Sequence, residues 1–232
     1  MILENNKENI NLFIKKILNG DVVIFPTDTV FGIGCDATNT NAIEEIYKLK
    51  DREKTKTLLL NLPSITEIKK IAHISNLESL LLENFNELTL IVKVKPNTHL
   101  SPYTIKNNEI GVRIPKNKTL QTILREINTP LISTSCNKSG EPACTTDEMA
   151  NKIFPQITIL QSNELLSGTP STIIKVIDNQ IEVLRQGTLT IEKIKQKIKV
   201  INAYEWIEKQ RRYSEFSDNN VEQIVSAYIN NE

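Results

Sequence analysis

The sequence predicts an α/β (or α+β) fold in which one large twisted mixed sheet is flanked by helices. Short, β-branched apolar runs of strand length recur along the chain, between segments whose apolar residues repeat at helical spacing. Their order is irregular, so neither strict βαβ alternation nor the even spacing of an all-β protein holds. With 232 residues, 39% of them hydrophobic, the chain is long enough to bury one substantial core.

The predicted elements follow from periodicity and from the residues that interrupt it. Apolar residues at helical spacing predict helices over 6–18, 41–50, 65–71, 77–85, 120–127 and 149–154, and a Lys/Glu-rich helical tail from about 190. Apolar runs predict strands over 22–25, 58–60, 88–94, 110–115 and 157–160, a brief strand from 130, and a hairpin of 171–176 with 181–185. Asp178-Asn179 would form the hairpin turn, and Asp36 would cap the second helix. We expect a main domain over 1–190 and a helical C-terminal tail over 191–232.

Composition excludes several classes of protein. Lys and Arg together number 28, as do Asp and Glu, so net charge gives no hint of a polyanionic partner. Cys35, Cys136 and Cys144 form no CxxC pair, which argues against a disulfide framework or a zinc ribbon. His73 and His99 are too few for a His-rich metal site. Without a signal-peptide pattern or a run of about 20 apolar residues, we expect a cytoplasmic protein with no membrane association.

Residues 20–37 contain the first candidate ligand site. The apolar strand 22–25 ends at Pro26, which has no N–H for a sheet ladder. Three short oxygen-bearing side chains follow at 27–29, and Gly32 and Gly34 then favour a loop with close backbone approach or positive φ. A buried strand that delivers hydroxyls and glycines into a loop is a usual ligand site of open sheets, although a plain polar turn is an equal alternative.

Basic residues provide two further signals. Lys50, Arg52 and Lys56 crowd the end of the second helix, where they would either neutralise a polyphosphate or form a solvated helix end. Arg113 differs because it lies inside an apolar strand. An arginine there requires an anionic ligand or a buried carboxylate partner.

Hydroxyl and amide side chains cluster after a later strand. Ser133, Ser135 and Asn137 alternate, so they would point to one side and donate to a phosphate or a carboxylate, unless they only form a polar turn. Ser171 and Arg185 lie at opposite ends of the predicted hairpin, and the sequence suggests no mutual role for them. There is no P-loop motif, no dinucleotide-binding fingerprint and no nucleophile elbow.

Four separated motifs, taken together, carry a family resemblance. They are the Lys50-Asp51-Arg52 group after the 26–34 stretch, the 133–140 segment, the Pro170-Ser171-Thr172 segment, and Leu184-Arg185-Gln186-Gly187. In this order and spacing the chain resembles, over roughly residues 10–190, the YrdC family of threonylcarbamoyl-AMP synthases. It is similar to the short, single-domain branch of that family.

The resemblance implies a YrdC-like sheet with a concave ligand cleft, and residues 1–190 as the catalytic domain. It implies a reaction in which L-threonine, bicarbonate (or CO₂) and ATP give threonylcarbamoyl-AMP and pyrophosphate. That product serves N6-threonylcarbamoyladenosine (t6A) formation at position 37 of tRNAs reading ANN codons. Mg²⁺ would accompany the nucleotide rather than occupy a site built from protein ligands. Other t6A-pathway proteins would be partners, and weak tRNA binding is an option.

The same resemblance implies roles for individual residues. The catalytic pair would be Lys50 and Arg52. The residues expected to bind threonine are Thr29, Asn61, Arg113, Ser133 and Ser171. The residues expected to bind ATP are Arg52, Lys56, Ser135, Asn137, Ala143 and Arg185. Departures from the family pattern include Asn61 where many relatives have histidine, Glu109 where a small hydroxyl residue is common near ATP, and Cys136 in place of alanine.

Two other functions stay open at the level of sequence. One is a double-stranded RNA or tRNA-binding module with a basic concave face, which would consume no ATP in response to threonine. The other is a carbamoyl-transfer domain of the hydrogenase-maturation type. Such domains normally accompany acylphosphatase-like and zinc-finger segments, and the cysteine pairs of a zinc finger are absent here.

Overall fold

A computed structural model describes residues 1–56, 58–178 and 180–211 of the chain, with side chains described up to residue 202. The chain divides into two compact units, Met1–Thr188 and Leu189–Glu232. Within the second unit the described residues form one long helix, α7 (Ile191–Arg211). The remainder of the predicted tail, 212–232, lies outside the described residues, as does Asn179 of the predicted hairpin turn.

The first unit is built on a sheet to which the described residues contribute ten strands. They are β1 (Ile2–Leu3), β2 (Val23–Phe25), β3 (Gly32–Asp36), β4 (Leu59–Asn61), β5 (Leu88–Lys93), β6 (Glu109–Arg113), β7 (Leu131–Ser135), β8 (Thr158–Leu160), β9 (Thr172–Ile177) and β10 (Gln180–Arg185). Their order across the sheet is β1-β8-β2-β3-β7-β4-β6-β5-β9-β10. Parallel and antiparallel pairs alternate irregularly, which confirms the predicted mixed sheet.

The described residues of the first unit also form six α-helices. They are α1 (Lys7–Leu18), α2 (Thr40–Leu49), α3 (Ile65–Ile71), α4 (Asn76–Asn84), α5 (Lys118–Ile127) and α6 (Asp147–Ile153). Each begins after an Asn, Ser or Thr whose side chain accepts a hydrogen bond from a backbone N–H of the first turn. Among the residues described, no helix is long and apolar enough to cross a membrane.

The start of α2 differs from the prediction. Asn39, and not Asp36, caps this helix by accepting a hydrogen bond from Ala42 N–H at 3.1 Å. Asp36 instead ends β3, where its Oδ1 accepts hydrogen bonds from Thr38 and Thr129. The carboxylate therefore ties β3 to the segment that precedes β7.

The strand β3 itself was predicted as a loop, and that prediction is wrong. Gly32 and Gly34 pair with β2 on one side and with β7 on the other. Neither glycine has a positive φ, but the close approach is real: a Cβ atom on Gly34 would lie 2.1 Å from the carbonyl oxygen of Ile132. The Phe25 ring lies against both glycines, so their missing side chains make room for it.

Side chains alternate between the two faces of the sheet. On one face, α1 and α5 pack over residues of β1, β8, β2 and the start of β7, where Phe13 and Ile17 pack with Leu124, Phe25 and Leu131. The polar residues of the candidate site lie further along the same face, from β3 and the end of β7 to β10. On the opposite face, alternate apolar residues such as Ile33, Leu60 and Val112 are fully buried.

Candidate functional site

A cleft of about 150 Å³ opens on the uncovered part of the sheet. It brings together seven of the twelve residues that the family resemblance assigned to the site, from segments far apart along the chain. These seven are Thr29, Arg52, Arg113, Ser133, Ser135, Ser171 and Arg185. Strand alternation explains the convergence, because the β6, β7 and β10 members occupy same-face positions of their strands.

Arg113 is the most deeply buried charge of the cleft. Its Nη2 donates to Asp28 Oδ2 at 3.1 Å, its Nη1 to Thr29 Oγ1 at 3.1 Å, and its Nε to the Asn86 carbonyl at 2.8 Å. Burial lowers the pKa of Arg113, and the Asp28 carboxylate opposes that shift. Since a guanidinium has five N–H donors, two have no partner within the described part of the chain and are available to a ligand.

The sequence left open whether Arg113 would meet a ligand or a buried carboxylate, and the structure shows the carboxylate. The Arg113 and Asp28 side chains are only 4% and 8% exposed. Asp28 also accepts the backbone N–H of Lys116 at 3.1 Å, so the carboxylate joins the turn after β2 to the end of β6. Asp28 was not predicted as a site residue, although an arginine within an apolar strand was a signal to look for such a partner.

The turn that carries Thr29 is held by its own side chains. Thr27 Oγ1 donates to the Val30 carbonyl at 2.7 Å and accepts the Thr29 N–H at 3.1 Å. Thr27 and Thr29 are both buried and both line the cleft. Thr29 therefore lines the cleft from a backbone that the Thr27 side chain holds in place, and its hydroxyl accepts from Arg113 Nη1.

Ser171 and Arg185 interact directly, which the sequence interpretation missed. Arg185 Nη2 donates to the Ser171 carbonyl at 2.8 Å, and the Ser171 hydroxyl shares a hydrogen bond of 2.8 Å with Thr89. The two residues flank a hairpin whose first and last residues lie side by side, since Arg185 pairs with Ile173. The hairpin register was the signal that could have revealed this contact.

A second arginine at the cleft comes from the loop after α2. Arg52 Nε donates to the Lys56 carbonyl at 3.2 Å, and that carbonyl also accepts the Tyr47 hydroxyl at 3.1 Å. Burial lowers the pKa of Arg52, and burial together with the nearby Arg52 charge lowers the pKa of Arg185. Two arginines that repel each other across a partly buried cleft favour an anionic ligand between them.

Lys50 lies behind the cleft rather than in it. Its Nζ donates to the Ser135 carbonyl at 2.5 Å, the Asn137 carbonyl at 2.6 Å and Asn137 Oδ1 at 2.7 Å. Lys50 is 1% exposed, and burial lowers its pKa to about 8. All three ammonium protons are thus used within the protein. Lys50 therefore holds the Ser135–Asn137 loop in this structure, and its direct action on phosphate charge stays a prediction.

Four other predicted residues also lie outside the cleft lining. Asn137 is buried in the Lys50 network and accepts the Ser135 hydroxyl at 2.9 Å. Lys56 is exposed and 3.9 Å from Glu53. Ala143 is partly buried and does not line the cleft.

The fourth of these residues is Asn61, which is fully buried next to Arg113 in the β4–β6 register. It donates to Ser133 Oγ at 2.8 Å and so orients that hydroxyl. Its Oδ1 is buried and has no hydrogen-bond partner among the described residues. Asn61 thus contributes to the cleft indirectly, by fixing the position of the Ser133 hydroxyl.

The cysteines and acidic groups add no further chemistry to the cleft. All three thiols are buried; burial raises the pKa of Cys35, and a hydrogen bond with Cys144 together with burial raises the pKa of Cys136. Among the residues described, no group of three or more His, Cys, Asp and Glu is placed to hold a metal ion. The candidate site is therefore a polar cleft lined by hydroxyls and three arginines.

Comparison with known proteins connects this cleft to one family. Residues 15–187 match the model of the Sua5/YciO/YrdC family, which is described as "Telomere recombination". A protein of Methanocaldococcus jannaschii, provisionally named a threonylcarbamoyl-AMP synthase, is 34% identical over 196 residues, covering 82% of this chain and 91% of its own. The threonylcarbamoyl-AMP synthase of Hydrogenovibrio crunogenus is 33% identical over 164 residues, covering 68% and 88%.

A solved structure shows the same fold. The crystal structure of P. abyssi Sua5 complexed with L-threonine superposes with a TM-score of 0.79 at 25% identity over 84% of this chain. This chain spans 60% of the length of that Sua5 protein.

Proposed function

The chain belongs to the Sua5/YciO/YrdC family, and from this premise we propose that it is an L-threonylcarbamoyladenylate synthase. The observation that carries the proposal is the cleft itself. It combines one buried arginine that has two N–H groups to spare with a separate pair of arginines beside a hydroxyl-rich loop. Such a cleft suits a carboxylate at one end and a polyphosphate at the other.

We assign the Arg113 end to L-threonine. The two remaining N–H groups of Arg113 would hold the threonine carboxylate, and Thr29, Ser133 and Ser171 would bond its polar groups. Asn61 would act by orienting the Ser133 hydroxyl. The threonine in the P. abyssi Sua5 structure supports this choice of amino acid.

We assign the other end to ATP. Arg52 and Arg185 would bond its phosphates, with Ser135 and Lys56 as further donors and Ala143 packing beside the nucleotide. Asn137 would contribute by holding the Ser135 loop on Lys50. Mg²⁺ would arrive with the nucleotide, whose phosphates supply the oxygen ligands that this ion prefers.

The chemistry then follows from positioning and charge stabilisation, with no covalent enzyme intermediate. The neutral threonine amine and bicarbonate give a carbamate and one molecule of water. A carbamate oxygen attacks the α-phosphorus of ATP, the bond from that phosphorus to the pyrophosphate oxygen breaks, and pyrophosphate leaves. Arg52 would stabilise the charge that develops on the departing pyrophosphate.

The product would serve t6A formation on tRNA. Threonylcarbamoyl-AMP is a mixed anhydride of a carbamate and a phosphate, so it must pass to a further transferase before water hydrolyses it. Other t6A-pathway proteins, and tRNA bound weakly, are therefore the proposed partners.

The test is an assay of the purified chain with ATP, L-threonine and bicarbonate and without RNA. We expect threonylcarbamoyl-AMP by mass spectrometry and an equal amount of pyrophosphate, each abolished when any one substrate is omitted. Arg52→Ala should remove product formation, whereas Lys48→Ala, an exposed cation on α2, should not. Full activity of Arg52→Ala would contradict the assignment.

The same assay separates the two other functions. An RNA-binding module would release no pyrophosphate in response to threonine. A carbamoyl-transfer domain of the hydrogenase-maturation type would require a carbamoyl donor and would not respond to threonine and bicarbonate.

A further inference from the structure

Gly111 leaves an open position in the middle of the cleft floor. It lies on β6 two residues before Arg113, and its neighbours in the register are Leu59 on β4 and Ile91 on β5. All four residues line the cleft. Because side chains alternate along a strand, a side chain at position 111 would point to the same face as Arg113, into the cleft.

The fold itself does not require glycine here. A Cβ atom on Gly111 would lie 3.4 Å from Ile91 Cδ1, 3.6 Å from Thr89 Cγ2 and 3.7 Å from Leu59 Cβ, all ordinary van der Waals distances. Its φ is not positive. Gly34 is different, because a Cβ atom there would collide with backbone. The absence of a side chain at position 111 therefore enlarges the cleft and is not needed for folding.

That space lies between the two ends of the cleft. Arg113 is two residues further along β6, about 7 Å away. On β7, Ser133 pairs with Leu59, the register neighbour of Gly111, and Ser135 lies two residues from Ser133 in the direction away from Arg113. Gly111 is thus midway, along the strand direction, between the buried arginine and the Ser135 loop.

We propose that Gly111, by having no side chain, leaves room in the cleft at the point where the carbamate meets the α-phosphate. The inference rests on the proposed function, in which Arg113 holds threonine and the Ser135 end holds ATP. When the carbamate oxygen bonds to the α-phosphorus and the pyrophosphate oxygen leaves, phosphorus is briefly surrounded by five oxygens. The junction of the two substrates therefore needs more room than either substrate alone.

Gly111→Ala tests the inference, because its effect should fall on the chemical step. We expect dissociation constants for threonine alone and for ATP alone within about twofold of wild type, and a kcat lower by about 100-fold, as for a misplacement of 1 Å. Val112→Ile is the matched control, since it adds one methyl group to the same strand on the opposite face. It should keep the wild-type kcat even where the melting temperature falls.

The kcat and the melting temperature of Gly111→Ala together decide whether the inference holds. A wild-type kcat for Gly111→Ala, or a loss explained by weaker binding of one substrate alone, overturns the inference. If Gly111→Ala folds poorly, the double variant with Ile91→Val relieves the 3.4 Å contact. A restored melting temperature with kcat still low supports the inference, and recovery of both overturns it. A wild-type protein that makes no adenylate would instead refute the proposed function.

Discussion

Replacing Asp28 by Asn tests how far the cleft depends on its buried ion pair with Arg113. The pair is 3.1 Å long and both side chains are nearly inaccessible, so solvent screens it little. Removing one partner of a buried pair costs about 3–5 kcal/mol. The new amide oxygen still accepts one N–H, and Arg113 keeps its hydrogen bonds to Thr29 and Asn86. We therefore expect Asp28→Asn to lower the free energy of unfolding by about 3 kcal/mol, the lower limit of that range.

For a unit of this size that loss lowers the melting temperature by about 6–12 °C. Urea unfolding followed by circular dichroism gives the free energy, and calorimetry gives the melting temperature. L-Threonine should raise the melting temperature of Asp28→Asn more than that of wild type, because its carboxylate would restore a negative charge beside Arg113.

Asp21→Asn is the control for this prediction. Asp21 pairs with Lys16 at 3.2 Å, nearly the same distance, but the side chains are 48% and 29% exposed. An exposed pair contributes about 0–1 kcal/mol, so this variant should melt close to wild type. The reasoning is refuted if Asp28→Asn and Asp21→Asn show the same small loss in free energy of unfolding.

The remaining predictions concern Lys50 behind the cleft and Gly34 on the central strand β3. Lys50→Met removes three hydrogen bonds from the Ser135–Asn137 loop and should weaken ATP binding about tenfold at pH 7, measured by calorimetry. In wild type the dissociation constant of ATP should rise as the pH passes the Lys50 pKa of about 8, because the neutral amine donates two hydrogens instead of three. Lys50→Met should lack this rise. A dissociation constant that does not change with pH in wild type would contradict the prediction. Gly34→Ala places a methyl group against the Ile132 carbonyl and should lower the free energy of unfolding, measured with urea, by about 3 kcal/mol. An unchanged free energy of unfolding would contradict this prediction, because it would mean that β3 and β7 can move apart without cost.

Helices were predicted well because each signal was local. The apolar spacing of 65–71 predicts α3 at the observed bounds, Ile65–Ile71. The strand β3 was missed because glycine normally marks a turn. Only the ring of Phe25, brought from the neighbouring strand, makes Gly32 and Gly34 suitable for a central strand. That contact is tertiary, and no local pattern contains it.

The site was predicted in part for the same reason. Arg113 was recognised because an arginine in an apolar strand conflicts with its surroundings, and the structure supplies Asp28 to resolve the conflict. Lys50 was assigned to the phosphates because of the family resemblance and because it belongs to a basic group at a helix end. Its burial depends on the Ser135–Asn137 loop, which lies 85 residues away in sequence. Long-range pairing of this kind becomes visible only once the sheet order is known.

The most direct test of the whole account is a crystal structure of the chain with L-threonine and a non-hydrolysable ATP analogue together. The account predicts both in the one cleft, with the threonine carboxylate on Arg113, the phosphates on Arg52 and Arg185, and the threonine amine near the α-phosphate above Gly111. Threonine and nucleotide on separate surfaces, or a nucleotide with no arginine contact, would contradict it.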